Sequence, residues 1–294
     1  MLTHHRPTPE NPVRVVILGA RGFIGSALRV ALERAGIATV APRSVELDLA
    51  VDGAGERLAA MLRTTDAVVL LAALTPDKGR GMAPFVQNLH MGAHVCTALE
   101  KVTPDHVVYF SSDAVYPTDV GLITEESWAQ PPDLYGIMHL AREVMIKTST
   151  QAPVAVLRPT LVYGASDTHN SYGPNRLRRM AHKDGRITLF GAGEDTRDHI
   201  LVDDVVALTL LALRHRSEGT LNLATGRSIS YAELAVKVAA LFERPIDVGA
   251  TPRKTPITHR HFDVAAVRKA FPTFTFTPLD RGLAKAHSEM IEQG

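Results

Sequence analysis

The chain has 294 residues, enough for one large domain, or one domain plus a smaller lobe, around a buried core. It is 45% hydrophobic and 21% charged, with a formal net charge of +1, so bulk charge gives no reason to expect a nucleic-acid or membrane partner. No apolar run approaches the roughly 20 residues that span a bilayer. The single cysteine, Cys96, cannot form an intramolecular disulfide, which points to a reducing, cytoplasmic setting with Cys96 as a small core residue.

In chain order, "MLTHHRPTPENP" is polar and proline-rich, and residues 1–12 are expected to be a mobile tail outside the fold. "VRVVILGA" reads as a strand buried on both faces, and "GFIGSALRVALERAG" as a helix stopped by Gly36. Strands "IATVAP", "DAVVLLAAL", "DHVVYFSS" and "PVAVLRPT" then alternate with helices "GERLAAMLRTT", "MAPFVQNLHMGAHVCTALEKV" and "PDLYGIMHLAREVMIKTS". Such alternation predicts an α/β fold of Rossmann type, a doubly wound parallel sheet, over residues 13–160.

Beyond 160 the pattern loosens. Residues 161–294 are expected to form a smaller α/β substrate lobe, with some segments returning to the core. "GASDTHNSYGPNRLRRMAHKDG" is polar and loop-like, and it is expected to help shape a ligand pocket. Its basic stretch "NRLRRMAHK" reads as a solvated helix face or cleft rim. "VDDVVALTLLALRH" and "YAELAVKVAALFE" read as helices. No metal site is expected: His259 and His261 have no third ligand nearby in sequence, and His4 and His5 read as a loose surface pair.

Gly19, Gly22 and Gly25 fall between the first strand and the first helix. There a glycine-rich turn lets a pyrophosphate approach the backbone and rest on the helix N-terminus. At the end of the second strand, a carboxylate would favour NAD and an arginine the 2′-phosphate of NADP. Arg43 and Ser44 stand there, so NADP(H) is preferred and NAD(H) remains possible.

With "GARGFIG", "ELD", "LLAA", Asn88, "SSDAVY", "YGIMH", "LRPTLVYG", "GEDTRDHILVDDV" and "LNLATGRSIS" in order, the chain resembles the extended short-chain dehydrogenase/reductases. More narrowly, it resembles their NAD(P)-dependent epimerase/dehydratase family, which acts on nucleotide sugars. The resemblance implies that Phe23, Ile24, Asp48, Leu71, Ala72 and Ala73 join the glycines around the cofactor. It implies that Ser112 bonds the reacting sugar oxygen and that Tyr135 is the acid/base, with Asp113 beside them. Arg197 and Arg253 match a pair that grips the sugar-nucleotide diphosphate. A homodimer through a four-helix bundle is implied as well. The acidic pair that serves dehydration in this family is here Asp113-Ala114, which disfavours dehydration.

One departure bears on the chemistry. One turn after Tyr135 the family carries a lysine that holds the nicotinamide ribose and lowers the tyrosine pKa; here stands His139. A unit charge about 5 Å away at an effective dielectric of about 20 is worth roughly 3 kcal/mol, or about two pKa units. A histidine mostly lacks that charge at neutral pH, yet still donates a hydrogen bond. Oxidation needs a tyrosinate and suffers; reduction needs the phenol and does not. The expected activity is therefore reduction of a keto-nucleotide sugar by NADPH. An epimerase with retained NAD(P) is the alternative, and a non-catalytic NADP-binding sensor the second alternative. Glu143, one further turn along, is expected to hold His139 protonated.

Overall fold

The structure is a computed structural model that describes residues 2–292 apart from 119, 168, 169, 171 and 172. A seven-stranded sheet forms its centre, in the order Ala38–Val40, Arg14–Leu18, Asp66–Leu70, His106–Phe110, Val154–Pro159, Ser217–Leu223, Thr3–His4. All pairings are parallel except the last. The doubly wound sheet expected from the alternation is present.

Each central strand is buried on both faces, so successive residues feed opposite layers. Val15, Ile17, Val69 and Val108 pack with Leu28 and Leu32 of helix Phe23–Arg34 and with Val205 and Leu208 of helix Val202–Arg214. Val16, Leu18, Val68, Leu70, Val107 and Tyr109 pack on the other face. There they meet helices Ala54–Met61, Met82–Lys101 and Leu134–Thr148, and Cys96 is buried in this layer.

The chain leaves Arg14–Leu18 toward Ala38–Val40, then crosses back to place Asp66–Leu70 on the other side. At such a reversal the loops after neighbouring strands diverge and open a crevice at their carboxyl ends. The glycine turn follows Leu18, and Leu71–Ala73 follows Leu70, so both border that crevice.

Ser217–Leu223 returns from the second half into the central sheet, beside Val154–Pro159. A smaller core around Leu177, Ile187, Leu189, Leu234 and Leu283 builds the lobe. The stretch read as loop-like contains helix Pro174–Asp184. Proline at its first turn and Gly185 in the left-handed conformation bound it, and Leu177 and Ala181 supply a buried stripe too short to stand out among polar residues. Its basic face is not all solvated. Arg178 is buried and bonds the Asn175 side chain at 3.0 Å and the Ala286 carbonyl.

The expected mobile tail is another correction. Thr3–His4 adds an antiparallel edge strand to the sheet. His4 stacks on His215 at 4.4 Å and bonds the Ser217 hydroxyl and the Ala270 carbonyl, both at 2.9 Å. Proline-rich composition hides partners more than 200 residues away. No helix among the described residues is long and apolar enough to cross a membrane.

Candidate active site

A cleft of about 980 Å³ opens at the crevice. It gathers Gly19, Gly22, Phe23, Ile24, Gly25, Leu71, Ala72, Ala73, Ser112, Asp113, Tyr135, His139 and Arg197 from the residues singled out in the sequence.

The glycine turn is tight enough to require its composition. A Cβ on Gly25 would lie 2.2 Å from the Gly19 carbonyl oxygen, and Gly19 has φ +97° with its missing Cβ 2.7 Å from the Ala72 amide nitrogen. The first helix can therefore begin directly against the strand ends with its N-terminus facing the cleft. Asn88, buried in helix Met82–Lys101, pins the opposite wall: its amide takes the Leu74 N–H at 2.7 Å and gives to the Leu74 carbonyl at 2.9 Å.

Helix Leu134–Thr148 is started by Asp133, whose carboxylate caps the Gly136 N–H at 2.9 Å. A Cβ on Gly136 would fall 2.2 Å from the Ala114 carbonyl oxygen. The helix start thus packs on the short turn Asp113–Val115, where Ser112 accepts the Ala114 N–H at 3.1 Å. This contact brings Tyr135 and Ser112 to one wall. Gly136→Ala is expected to cost about 1–3 kcal/mol through overpacking and to lower turnover more than cofactor affinity. Denaturant unfolding and steady-state kinetics measure the two effects.

Asp113 is committed to neighbours: Arg260 bonds its carboxylate at 3.1 Å and its carbonyl at 2.7 Å, then continues to the Tyr116 carbonyl at 3.0 Å. Arg260 does not stand out in the sequence, because only the fold brings "THRHFD" against "SSDAVY". Arg197 donates to the Thr196 and Thr258 carbonyls at 2.8 Å and to the Thr258 hydroxyl at 2.6 Å. Its expected companion Arg253 is instead bound by Glu194 at 2.7 Å and Asp195 at 2.6 Å, outside the cleft lining. Arg43 and Ser44 are exposed, Arg43 pairing with Glu46 at 3.2 Å, and exposed Asp48 accepts the Ala50 N–H at 2.9 Å. None of the three lines the cleft.

In the loop expected to shape the pocket, Asp167, Asn170, Gly173, Pro174, Asn175 and Arg176 do line it. Thr168, His169, Ser171 and Tyr172 lie outside the described residues.

His139 is 3% exposed, edge-on to Tyr135 with ring centroids 4.6 Å apart, and its Nδ1 lies 2.8 Å from the Tyr109 hydroxyl. Burial, reinforced by the Arg142 guanidinium, pushes its pKa down to about 3. The expectation that Glu143 keeps it protonated is overturned. Glu143 gives its carboxylate to Arg158, at 2.6 and 2.8 Å, and to the Ser111 hydroxyl at 2.5 Å. Burial, then the Asp113 carboxylate, raises the Tyr135 pKa, with Arg142 opposing them.

Four buried histidines among the described residues make stability pH-dependent, and burial also lowers the fourth, His287. Burial depresses His106 to about 4, and His139 and His199 to about 3. Below an unfolded value near 6.5 the unfolded chain takes up protons that the folded chain refuses. Their contribution is thus present above about pH 6.5 and lost as pH falls toward the folded values. Between pH 7 and 5.5 the urea midpoint is expected to drop. Below the unfolded value each of these three rings contributes a slope of up to about 1.4 kcal/mol per pH unit, and His139→Gln should remove about a third of their joint share.

Residues 15–224 match the family described as NAD dependent epimerase/dehydratase. The chain belongs to that family. Among curated family relatives, the GDP-L-fucose synthase of Sinorhizobium fredii is 26% identical over 311 residues, covering 95% of each chain. The ADP-L-glycero-D-manno-heptose-6-epimerase of Pseudomonas paraeruginosa is 26% identical over 261 residues, 76% of this chain and 77% of that one. The solved structure of MoeE5 in complex with UDP-glucuronic acid and NAD superposes with a TM-score of 0.80 at 26% identity, over 95% of this chain and 99% of the other.

The cleft fits a dinucleotide of the kind this family uses. The glycine turn sits so tightly on the strand ends that a Cβ at Gly19 or Gly25 would strike backbone, and the buried His139 Nε2 has no partner among the described residues.

Proposed function

We propose that this epimerase/dehydratase-family protein reduces a keto-nucleotide sugar. NADPH, which Gly19, Gly22 and Gly25 would hold along the cleft, would supply the hydride for the carbonyl carbon. Tyr135 gives its phenolic proton to the carbonyl oxygen, and water then restores it. Ser112 bonds the same oxygen and orients it, while Arg197 meets the diphosphate in charge-assisted contacts. The observation that carries this reading is the neutral His139 beneath a tyrosine whose pKa is raised. That environment keeps the phenol protonated, as reduction requires. Ala114 leaves no second acid in the dehydration pair, which disfavours elimination of water.

The preference for NADPH rests on Arg43. Its exposed pair with Glu46 is worth little in water, so a 2′-phosphate can take the guanidinium over. A spectrophotometric panel tests the proposal: NADPH and NADH, each with 4-keto and ordinary sugars carrying UDP, dTDP or GDP. Consumption of NADPH with a keto sugar is expected. Isomerisation of an ordinary sugar without consumption of added cofactor would establish the epimerase reading, which the similarity to the heptose epimerase favours.

A homodimer is proposed as well. Helices Met82–Lys101 and Leu134–Thr148 pack together and present Met82, Val86, Ile137 and Val144 outward, exposed by 39 to 61%. Val144→Glu is expected to shift the chain to a monomer in sedimentation velocity.

A further inference from the structure

Beneath Tyr135 lies a buried group of three side chains: Tyr109 on the strand His106–Phe110, and His139 and Arg142 on the helix Leu134–Thr148. Arg142 has 0% exposure, and a guanidinium stays charged at any working pH. It donates to the Ala72 carbonyl at 3.0 Å, reaches the Met138 sulfur at 3.9 Å, and lies 5.3 Å over the Tyr109 ring. Its Nε has no partner among the described residues, and none of these contacts is a carboxylate. The neighbouring Glu143 is taken by Arg158.

Room for the arginine comes from Gly92, where a Cβ would stand 3.2 Å from its Cγ and Nε. A cation buried without a carboxylate costs stability, so packing gives no reason for it.

Tyr109 has a second consequence. Its hydroxyl is buried, and the one bond it makes among the described residues is to His139 Nδ1. A buried hydroxyl proton needs an acceptor, so Tyr109 donates and Nδ1 accepts. The neutral ring must then carry its own proton on Nε2, an atom without a partner among the described residues in a side chain that lines the cleft.

We infer that two duties are divided here: Arg142 is a positioning residue that supplies the positive charge beneath Tyr135, and Tyr109 fixes His139 as an Nε2–H donor for a hydroxyl acceptor of the bound dinucleotide. The inference rests on Tyr135 being the proton-transferring group. Beside burial, the charges that act on Tyr135 include the carboxylates of Asp113, Asp133 and Asp77, each favouring the phenol, with Arg142 opposing them. Tyr109 and Arg142 face His139. On the packed helix Met82–Lys101, the buried Cys96 also feels Arg142. Arg142 thus reinforces burial in keeping His139 neutral, and it limits how far burial and the carboxylates raise the phenol.

Two measurements on the ligand-free full chain test this, so they can fail independently of the turnover panel. The first is ¹⁵N NMR of the His139 ring, assigned by loss of its signals in His139→Gln. The ring should be neutral and protonated on Nε2 from pH 8 to pH 5, and Tyr109→Phe should mix the two tautomers. Protonation on Nδ1, or titration within that range, would overturn the tautomer assignment in the unaltered chain.

The second is a double-mutant cycle in denaturant. His139→Lys places a second cation beside Arg142. It should weaken folding by at least about tenfold more in the unfolding constant than the same change made in Arg142→Met. A single variant that does not fold beside a double variant that does supports the assigned charge equally. Additive effects would overturn that charge, and so would failure of both variants to fold.

Discussion

Tyr135→Phe is expected to lower reductive turnover by about 10²- to 10⁴-fold, the usual worth of a positioned general acid. The change removes one oxygen from a half-buried ring and leaves the edge-on contact with His139 in place. NADPH affinity, followed by fluorescence, should therefore change by no more than about threefold, and the loss should fall on kcat. The pH dependence carries the same signature with a defined sign. Burial and Asp113 raise the Tyr135 pKa, so the phenol persists well into alkaline solution. Reduction should stay flat where an ordinary tyrosine, with a pKa near 10, begins to lose its proton. Oxidation of the corresponding alcohol needs the tyrosinate and should climb about tenfold per pH unit over the same range. An unchanged kcat in Tyr135→Phe would move the proton-donor role to Ser112 or water.

Glu143→Gln is expected to cause the largest loss of stability, about 3–5 kcal/mol, because it leaves a buried guanidinium without its counter-charge. A relay runs from the Ser111 hydroxyl to Glu143 and from Glu143 to Arg158. It continues from Arg158 to the Tyr116 hydroxyl at 2.9 Å, and from Tyr116 to Asn222 at 2.8 Å. The relay ties the active-site helix to two central strands and to the turn carrying Ser112. Loss of its central carboxylate should loosen the wall that holds Tyr135. The combined change Glu143→Leu with Arg158→Met should cost much less than Glu143→Gln, since it removes both charges and leaves neither unpaired. Equilibrium unfolding of the single and the double variant distinguishes a charge effect from a packing effect. Equal losses in the two would show that the ion pair is not what holds the helix.

The same helix shows how far sequence carries the interpretation. Spacing of four residues places Tyr135 and His139 on one face, and they do meet. By the same rule Glu143 stands where a partner of His139 is expected. Spacing along a helix, however, says nothing of what approaches from the sheet. Tyr109, thirty residues earlier, takes the imidazole, and Arg158, fifteen residues later, takes the carboxylate. Arg142 does not stand out in the sequence because a charged residue mid-helix ordinarily reads as solvated, yet a glycine on the neighbouring helix lets it bury. The two arginines expected to grip a diphosphate follow the same pattern: Arg197 reaches the cleft, whereas Arg253 meets two carboxylates from a segment nearly sixty residues away.

The residues alone determined the alternation of strand and helix, the glycine turn and the order of motifs that identifies the family. Each of these is a local pattern, set by side-chain periodicity, by the space a Cβ needs, or by short linear spacing. Tertiary structure decided the charge state around Tyr135, the docking of the N-terminal strand and the partners of each buried ion. Desolvation and Coulomb interactions depend on what stands within a few ångströms in space, and neighbours in space are remote in sequence.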